Sequence, residues 1–143
     1  MEFPPTNATL HSLPGGLTII LDEDTSAPVV SAQMWVETGS QHEGEFAGAG
    51  ISHLLEHMVF KGTRNIPCAD LATMVNAAGG QWNAYTSFDR TVYYIDGPST
   101  SLPTFLEVLF ELTFHPAFPL EDFETEKDVI RREIDMGNDD PDS

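Results

Sequence analysis

Two histidines stand four residues apart in the run His53-Leu54-Leu55-Glu56-His57, with a glutamate beside the second. On a helix, positions i and i+4 lie one above the other on the same face, so both imidazoles can turn toward one cation. Zinc takes nitrogen and oxygen donors in a tetrahedral set, and a catalytic site keeps one position for water. Glu56 flanks that face. It is too close in sequence to be a comfortable third ligand and is well placed to take a proton from water. The five letters alone are a hint. Two solvent-facing histidines on an amphipathic helix, with Leu54, Leu55, Met58 and Val59 on the core, would give the same string.

A zinc ion held by two histidines wants a carboxylate or a third nitrogen. Near the C-terminal end, Glu126 and Glu133 are spaced to share one face of a helix two turns apart. Val129 and Ile130 lie between them on that face, where a purely solvated acid would be unusual. The other acids of the segment, Glu121, Asp122, Glu124, Asp128 and Asp135, scatter more widely. Without the two histidines, a charged surface helix is the simpler account of Glu126 and Glu133.

The elements that must hold these groups follow from the pattern along the chain. Residues 9–22 read as a hairpin turned by Pro14-Gly15-Gly16. Asp22 to Pro28 is a polar connection. Val29 to Val36 is a strand with Val30, Ala32, Met34 and Val36 on one face and Val29, Ser31, Gln33 and Trp35 on the other. Apolar groups on both faces predict a central position. The glycine-rich stretch 37–50 is a loop. A helix carrying the two histidines is expected from about Ile51 to Lys61, with Gly62 as its C-cap. A second helix follows Pro67 and closes at Gly79-Gly80. Trp82–Thr86 and Thr91–Ile95 read as strands joined through 87–90. A third helix covers Leu102 to Phe114, with Leu102, Phe105, Leu106, Leu109 and Phe110 at core spacing. Pro116 and Pro119 break the chain, and a fourth helix runs from about Leu120 to Met136, before an Asp-rich tail from Gly137 to Ser143. Trp35, Trp82, Phe105 and Phe110 are assigned to the core. The class is α+β with a mostly antiparallel sheet packed with helices, and the whole of 1–143 reads as one domain.

The chain has 6 basic and 23 acidic side chains, a net charge of −17. That excludes broad phosphate contact with nucleic acid and argues against an anionic membrane surface. No apolar stretch approaches the ~18 residues of a membrane-spanning helix. With no basic segment and apolar run at the start of the sequence, the expectation is a cytoplasmic protein. Only Lys61 and Lys127 are lysines, as an acidic surface or a high-salt cytoplasm would favour. The single cysteine, Cys68, excludes an internal disulfide and a multi-thiolate zinc site, and its place at a helix start reads as structural. His11 and His115 have no partner at ligand spacing, and His42 reads as a solvated loop residue.

The stretch Gly48-Ala-Gly-Ile-Ser-His-Leu-Leu-Glu-His-Met-Val-Phe-Lys-Gly-Thr63 resembles the signature of the pitrilysin/insulinase family of zinc peptidases, whose His-x-x-Glu-His is the inverted form of the common zinc-peptidase motif. That family includes mitochondrial processing peptidase and its bacterial relatives. The family places a third ligand, a glutamate, about 75 residues after the second histidine, and Glu133 stands 76 residues after His57. Glu126 matches a second family glutamate seven residues earlier. Further matches are Gly39-Ser40, Gly79-Gly80, Asn83-Ala84-Tyr85-Thr86 and Thr91-Val92-Tyr93-Tyr94, so the resemblance spans about Leu10 to Met136.

What the resemblance implies is a zinc endopeptidase hydrolysing peptide bonds through a metal-activated water, with one Zn²⁺ per chain. By that likeness His53, His57 and Glu133 bind the metal, Glu56 is the general base, and Glu126 orients the site from outside the ligand shell. Asn83, Ala84 and Tyr85 would hold an extended peptide or unfolded protein substrate by strand addition. Family members are two homologous halves closing as a clamshell. The chain then corresponds to an incomplete N-terminal half-domain, needing a C-terminal half or a homologous subunit for activity. Unpaired strand edges would favour self-association. The alternative is a noncatalytic, peptidase-like binding or structural subunit, a kind that usually loses the metal motif.

Overall fold

The computed structural model describes residues 7–139. Strands β1 (Thr9–Ser12) and β2 (Thr18–Leu21) form the expected antiparallel hairpin, with Leu10 opposite Ile20. Gly15 and Gly16 take φ of +105° and +94°, which only glycine adopts without strain, and this closes the turn. The hairpin is exposed along both strands and pairs with no other strand among the described residues.

The main sheet is built from β3 (Val29–Val36), β4 (Gln81–Thr86) and β5 (Thr91–Pro98), in the order β3-β5-β4 and antiparallel throughout. β5 is therefore the central strand, with Thr91, Val92, Tyr93 and Ile95 all buried. The sequence reading gave that place to β3, and the structure corrects it. The outward side chains of β3 remain open, Val29 at 64% and Trp35 at 55% exposure. Apolar residues on both faces therefore did not mean two covered faces, and Trp35 is not a core residue.

Helices α1 (Ile51–Val59), α2 (Cys68–Ala77), α3 (Leu102–Phe114) and α4 (Leu120–Asp139) complete the α+β architecture. Two 3₁₀ turns, Ser40–His42 and Gly44–Phe46, lie in the loop before α1. α1 ends at Val59 with Phe60 as its cap, short of the expected Gly62. α4 continues past Met136 to Asp139, and residues 140–143 of the expected tail lie outside the described residues.

The core forms where α2 and α3 pack on the inner face of the sheet. Leu71 and Val75 of α2 and Phe105, Val108, Leu109 and Leu112 of α3 meet Ala32, Tyr93 and Ile95. Leu106 and Phe110, expected inside, face outward. Helix period alone could not choose between adjacent apolar stripes on a helix this rich in Leu and Phe. Phe105 explains two glycines. A Cβ on Gly97 would come within 2.6 Å of its ring and one on Gly80 within 2.7 Å. No described helix is long and apolar enough to cross a membrane.

Candidate metal centre

α1 begins at Gly50, whose φ of +74° is left-handed and whose side offers no cap. The missing cap comes from the preceding loop, where the buried Glu43 accepts a hydrogen bond from the Ser52 N–H through Oε1 at 2.8 Å. A carboxylate there also complements the positive end of the helix dipole. Gly50 permits close approach of α4: a Cβ would lie 3.1 Å from Ile134 Cδ1 and 3.2 Å from Ile130 Cγ2. With Ile130 buried, this contact sets the distance between the helix of the histidines and the helix of the two glutamates.

The two helices bring three predicted groups together. One ligand atom each from His53, His57 and Glu133 lies within 4.8 Å of the others. His53 Nε2 is 3.5 Å from Glu133 Oε2, and the two imidazole rings stand edge to face with centroids 4.8 Å apart. His53 and Glu133 side chains keep 38% and 44% exposure, so the cluster opens to solvent. The donor set, two imidazoles and one carboxylate, suits zinc and leaves room for a further ligand.

Glu126 is buried between two partners. Its Oε2 is 2.8 Å from His57 Nδ1, and its Oε1 is 2.6 Å from Lys61 Nζ. The Lys61 ammonium and, after it, His57 hold the Glu126 carboxyl below the usual carboxylate range, against the opposing effect of burial. An ionised carboxylate only accepts, so His57 Nδ1 is the donor in this contact.

Glu56 reaches toward β4, in the cleft that His53 also lines. Thr86 Oγ1 donates to Glu56 Oε2 at 2.5 Å. Thr91, opposite Thr86 in the sheet, gives its own proton to the Thr38 carbonyl at 3.0 Å. The buried Tyr93 phenol is pushed well above its ordinary value by burial and by the nearby Glu56 charge, so it stays protonated.

An open cleft of about 570 Å³ is lined by His53, Glu56, Ala84, Tyr85, Thr86 and Phe88, among others. β4 pairs only with β5 among the described residues, so Asn83, Ala84 and Tyr85 lie on a strand with an open edge beside the cluster. The Ala84 N–H is taken up by Asn83 Oδ1 at 2.9 Å. A second cleft of about 580 Å³, between Ile20 and the outer side of β3, lies around Trp35 and Gln33 and holds none of these groups.

The residues not promoted from sequence behave as expected in part. His42 Nδ1 accepts the Gly39 N–H, and His115 pairs with Glu111 on its own helix face. Cys68 is exposed at the start of α2. Lys61 and Thr86 were missed as site-contacting groups. Lys61 follows His57 by four residues, which in the helix expected to reach Lys61 puts both on one face, so that signal was available, although α1 itself ends at Val59. Thr86 was read only as part of a strand matching the family, not as a partner of Glu56.

Two imidazoles from one helical turn, a distant carboxylate and a separately anchored glutamate thus share one α+β framework. The chain belongs to the insulinase family, peptidase family M16, whose model matches residues 18–143. It is 35% identical to an uncharacterized zinc protease of Mycobacterium tuberculosis over 130 residues, 91% of this chain and 30% of that protein. It is 36% identical to an uncharacterized zinc protease of Bacillus subtilis, covering 92% of this chain and 32% of the relative. With the human mitochondrial-processing peptidase subunit beta it shares 34% identity over 94% of this chain and 27% of that one. The crystal structure of a protease from Helicobacter pylori superposes with a TM-score of 0.81 at 28% identity, over 90% of this chain and 31% of that one. The chain thus spans about 30% of the length of such relatives.

Proposed function

We propose that this chain carries the metal ligands and the general base of a zinc-dependent endopeptidase. The observation that carries the reading is the convergence of His53, His57 and Glu133 donor atoms within 4.8 Å, from segments 76 residues apart in sequence. Relatives named zinc proteases support the choice of metal. Zinc bound there would acidify a water molecule and polarise the scissile carbonyl.

The chain's own residues do the rest. Glu56 takes the proton of the attacking water and passes it to the leaving amine. The Thr86 hydroxyl fixes one Glu56 oxygen, leaving the other to work. Glu126 keeps the His57 proton on Nδ1, so Nε2 can bind. The open edge of β4, with Asn83, Ala84 and Tyr85, holds the substrate peptide in extended form by main-chain pairing. The cluster lies open on one side, and we assign its closure to a second half or a homologous subunit, as the relative named subunit beta suggests.

The test is zinc content together with cleavage in the completed assembly. The parent should bind one zinc per chain, and Glu133→Ala should lose most of it. Glu56→Gln should keep the zinc and lose about 10²–10⁴ of the peptide-cleavage rate. Equal zinc in Glu133→Ala and the parent would remove the third ligand. Zinc retained with no cleavage by the parent assembly would favour a noncatalytic subunit.

A further inference from the structure

Glu126 is a carboxylate with two oxygens and two partners, and both partners come from the same stretch of chain. His57 lies in the last turn of α1 and Lys61 four residues further on. Lys61 lies just beyond the helix end, and the two side chains divide the one carboxylate of α4 between them. Lys61 takes Oε1 at 2.6 Å and His57 takes Oε2 at 2.8 Å. The site is largely closed to water, with the Glu126 side chain 10% exposed. The protein has 6 basic side chains against 23 acidic ones, and one of those six is placed here.

We propose that Lys61 is a positioning residue for the metal centre: by holding Glu126 Oε1, it aims Glu126 Oε2 at His57 Nδ1 and leaves His57 Nε2 as the metal-facing nitrogen. An ammonium offers donors only, so it cannot exchange roles with the imidazole. Without it, the carboxylate loses one of its two anchors and is free to rotate. The His57 ring then loses the partner that selects its tautomer. Lys61 touches neither metal nor substrate and acts through Glu126. The inference rests on the metal-centre reading for its consequence, but the tautomer itself belongs to the metal-free chain.

The experiment uses the 143-residue chain with ¹⁵N-labelled histidine. At about pH 8, above the ordinary imidazole range, long-range ¹H–¹⁵N spectra report which ring nitrogen carries the proton. The parent should show His57 with Nδ1 protonated, and Lys61→Met should show mixed tautomers or the Nε2–H form. Lys61→Arg, which keeps a cationic donor, should restore the parent pattern. Zinc alone, titrated against a chromophoric chelator, should bind about tenfold more weakly to Lys61→Met and near-normally to Lys61→Arg.

A purely structural ion pair between α1 and α4 would lower the melting temperature of Lys61→Met and leave tautomer and zinc affinity as in the parent. That result overturns the proposal. So does an Nε2–H tautomer of His57 in the parent. If Lys61→Met fails to fold, Lys61→Ala is read in its place by the same histidine spectra and zinc titration: a shifted His57 tautomer with weaker zinc supports the role, and parent-like values of both overturn it. If the parent binds no zinc, the metal-centre reading falls, while the tautomer comparison still decides for or against Lys61.

Discussion

Replacing Glu126 by glutamine reverses one proton without changing the shape of the site. Lys61 is a pure donor and claims the amide oxygen, as it now claims Oε1. The amide NH₂ must then face His57 Nδ1, which is 2.8 Å from the present Oε2. Two donors cannot share that contact, so Nδ1 becomes the acceptor and the His57 proton moves to Nε2. The nitrogen needed by the metal loses its lone pair. Outer-shell partners of metal-binding histidines are worth about 10–100-fold in affinity. Glu126 is 8% exposed, so water cannot stand in for the lost acceptor, and the upper end applies. Zinc should bind Glu126→Gln about 100-fold more weakly, about 2.8 kcal/mol. A competition titration measures the loss, and the ring ¹⁵N shifts of His57 show the reversed tautomer in the same sample. Parent-like affinity in a Glu126→Gln chain with parent-like circular dichroism and melting temperature would refute the reasoning.

Two further outcomes concern the scaffold. Gly97→Ala drives a Cβ into the buried Phe105 ring at 2.6 Å, and overpacking of this kind costs about 1–3 kcal/mol. Urea unfolding should show the loss in the parent background and a clearly smaller one with Phe105→Leu, and equal losses in both would contradict the clash. The Glu111 carboxyl is pushed up by burial, but hydrogen bonds from Asn65, His115 and Thr63 outweigh it and hold the group below its ordinary value of 4.5. Its folded value is the lower one, so its stabilisation is present above pH 4.5 and is lost as pH falls through the folded value. Glu111→Gln should therefore lower the urea midpoint at neutral pH and bring it closer to the parent's in acid. A gap that widens in acid would reverse the sign of that argument.

Much of the secondary structure was legible because its causes are local. The third helix was bounded correctly at Leu102 and Phe114, and the hairpin turn followed from Pro14-Gly15-Gly16. The pairing of His53 with His57 needed only the helical repeat. Glu133 is another matter. Its two-turn spacing from Glu126 marked a face, but which of the many acids of α4 would meet the histidines was indicated only by family likeness. The sequence order of strands did not reveal that β5 is sandwiched between β3 and β4, so the central position was given to β3.

The sequence by itself determined the kinds of donor available, their phase on each helix and the family. These depend on side-chain chemistry and on hydrogen bonds spanning a few residues. Only the tertiary structure decided that α4 lies close enough to α1 for Glu133 to join the histidines, a distance set by Ile130 and Ile134 against the bare Cα of Gly50. It alone placed Lys61 on Glu126 and Thr86 on Glu56. Those contacts join residues 65 and 30 positions apart, and packing of whole elements, which no local repeat encodes, brings them within reach.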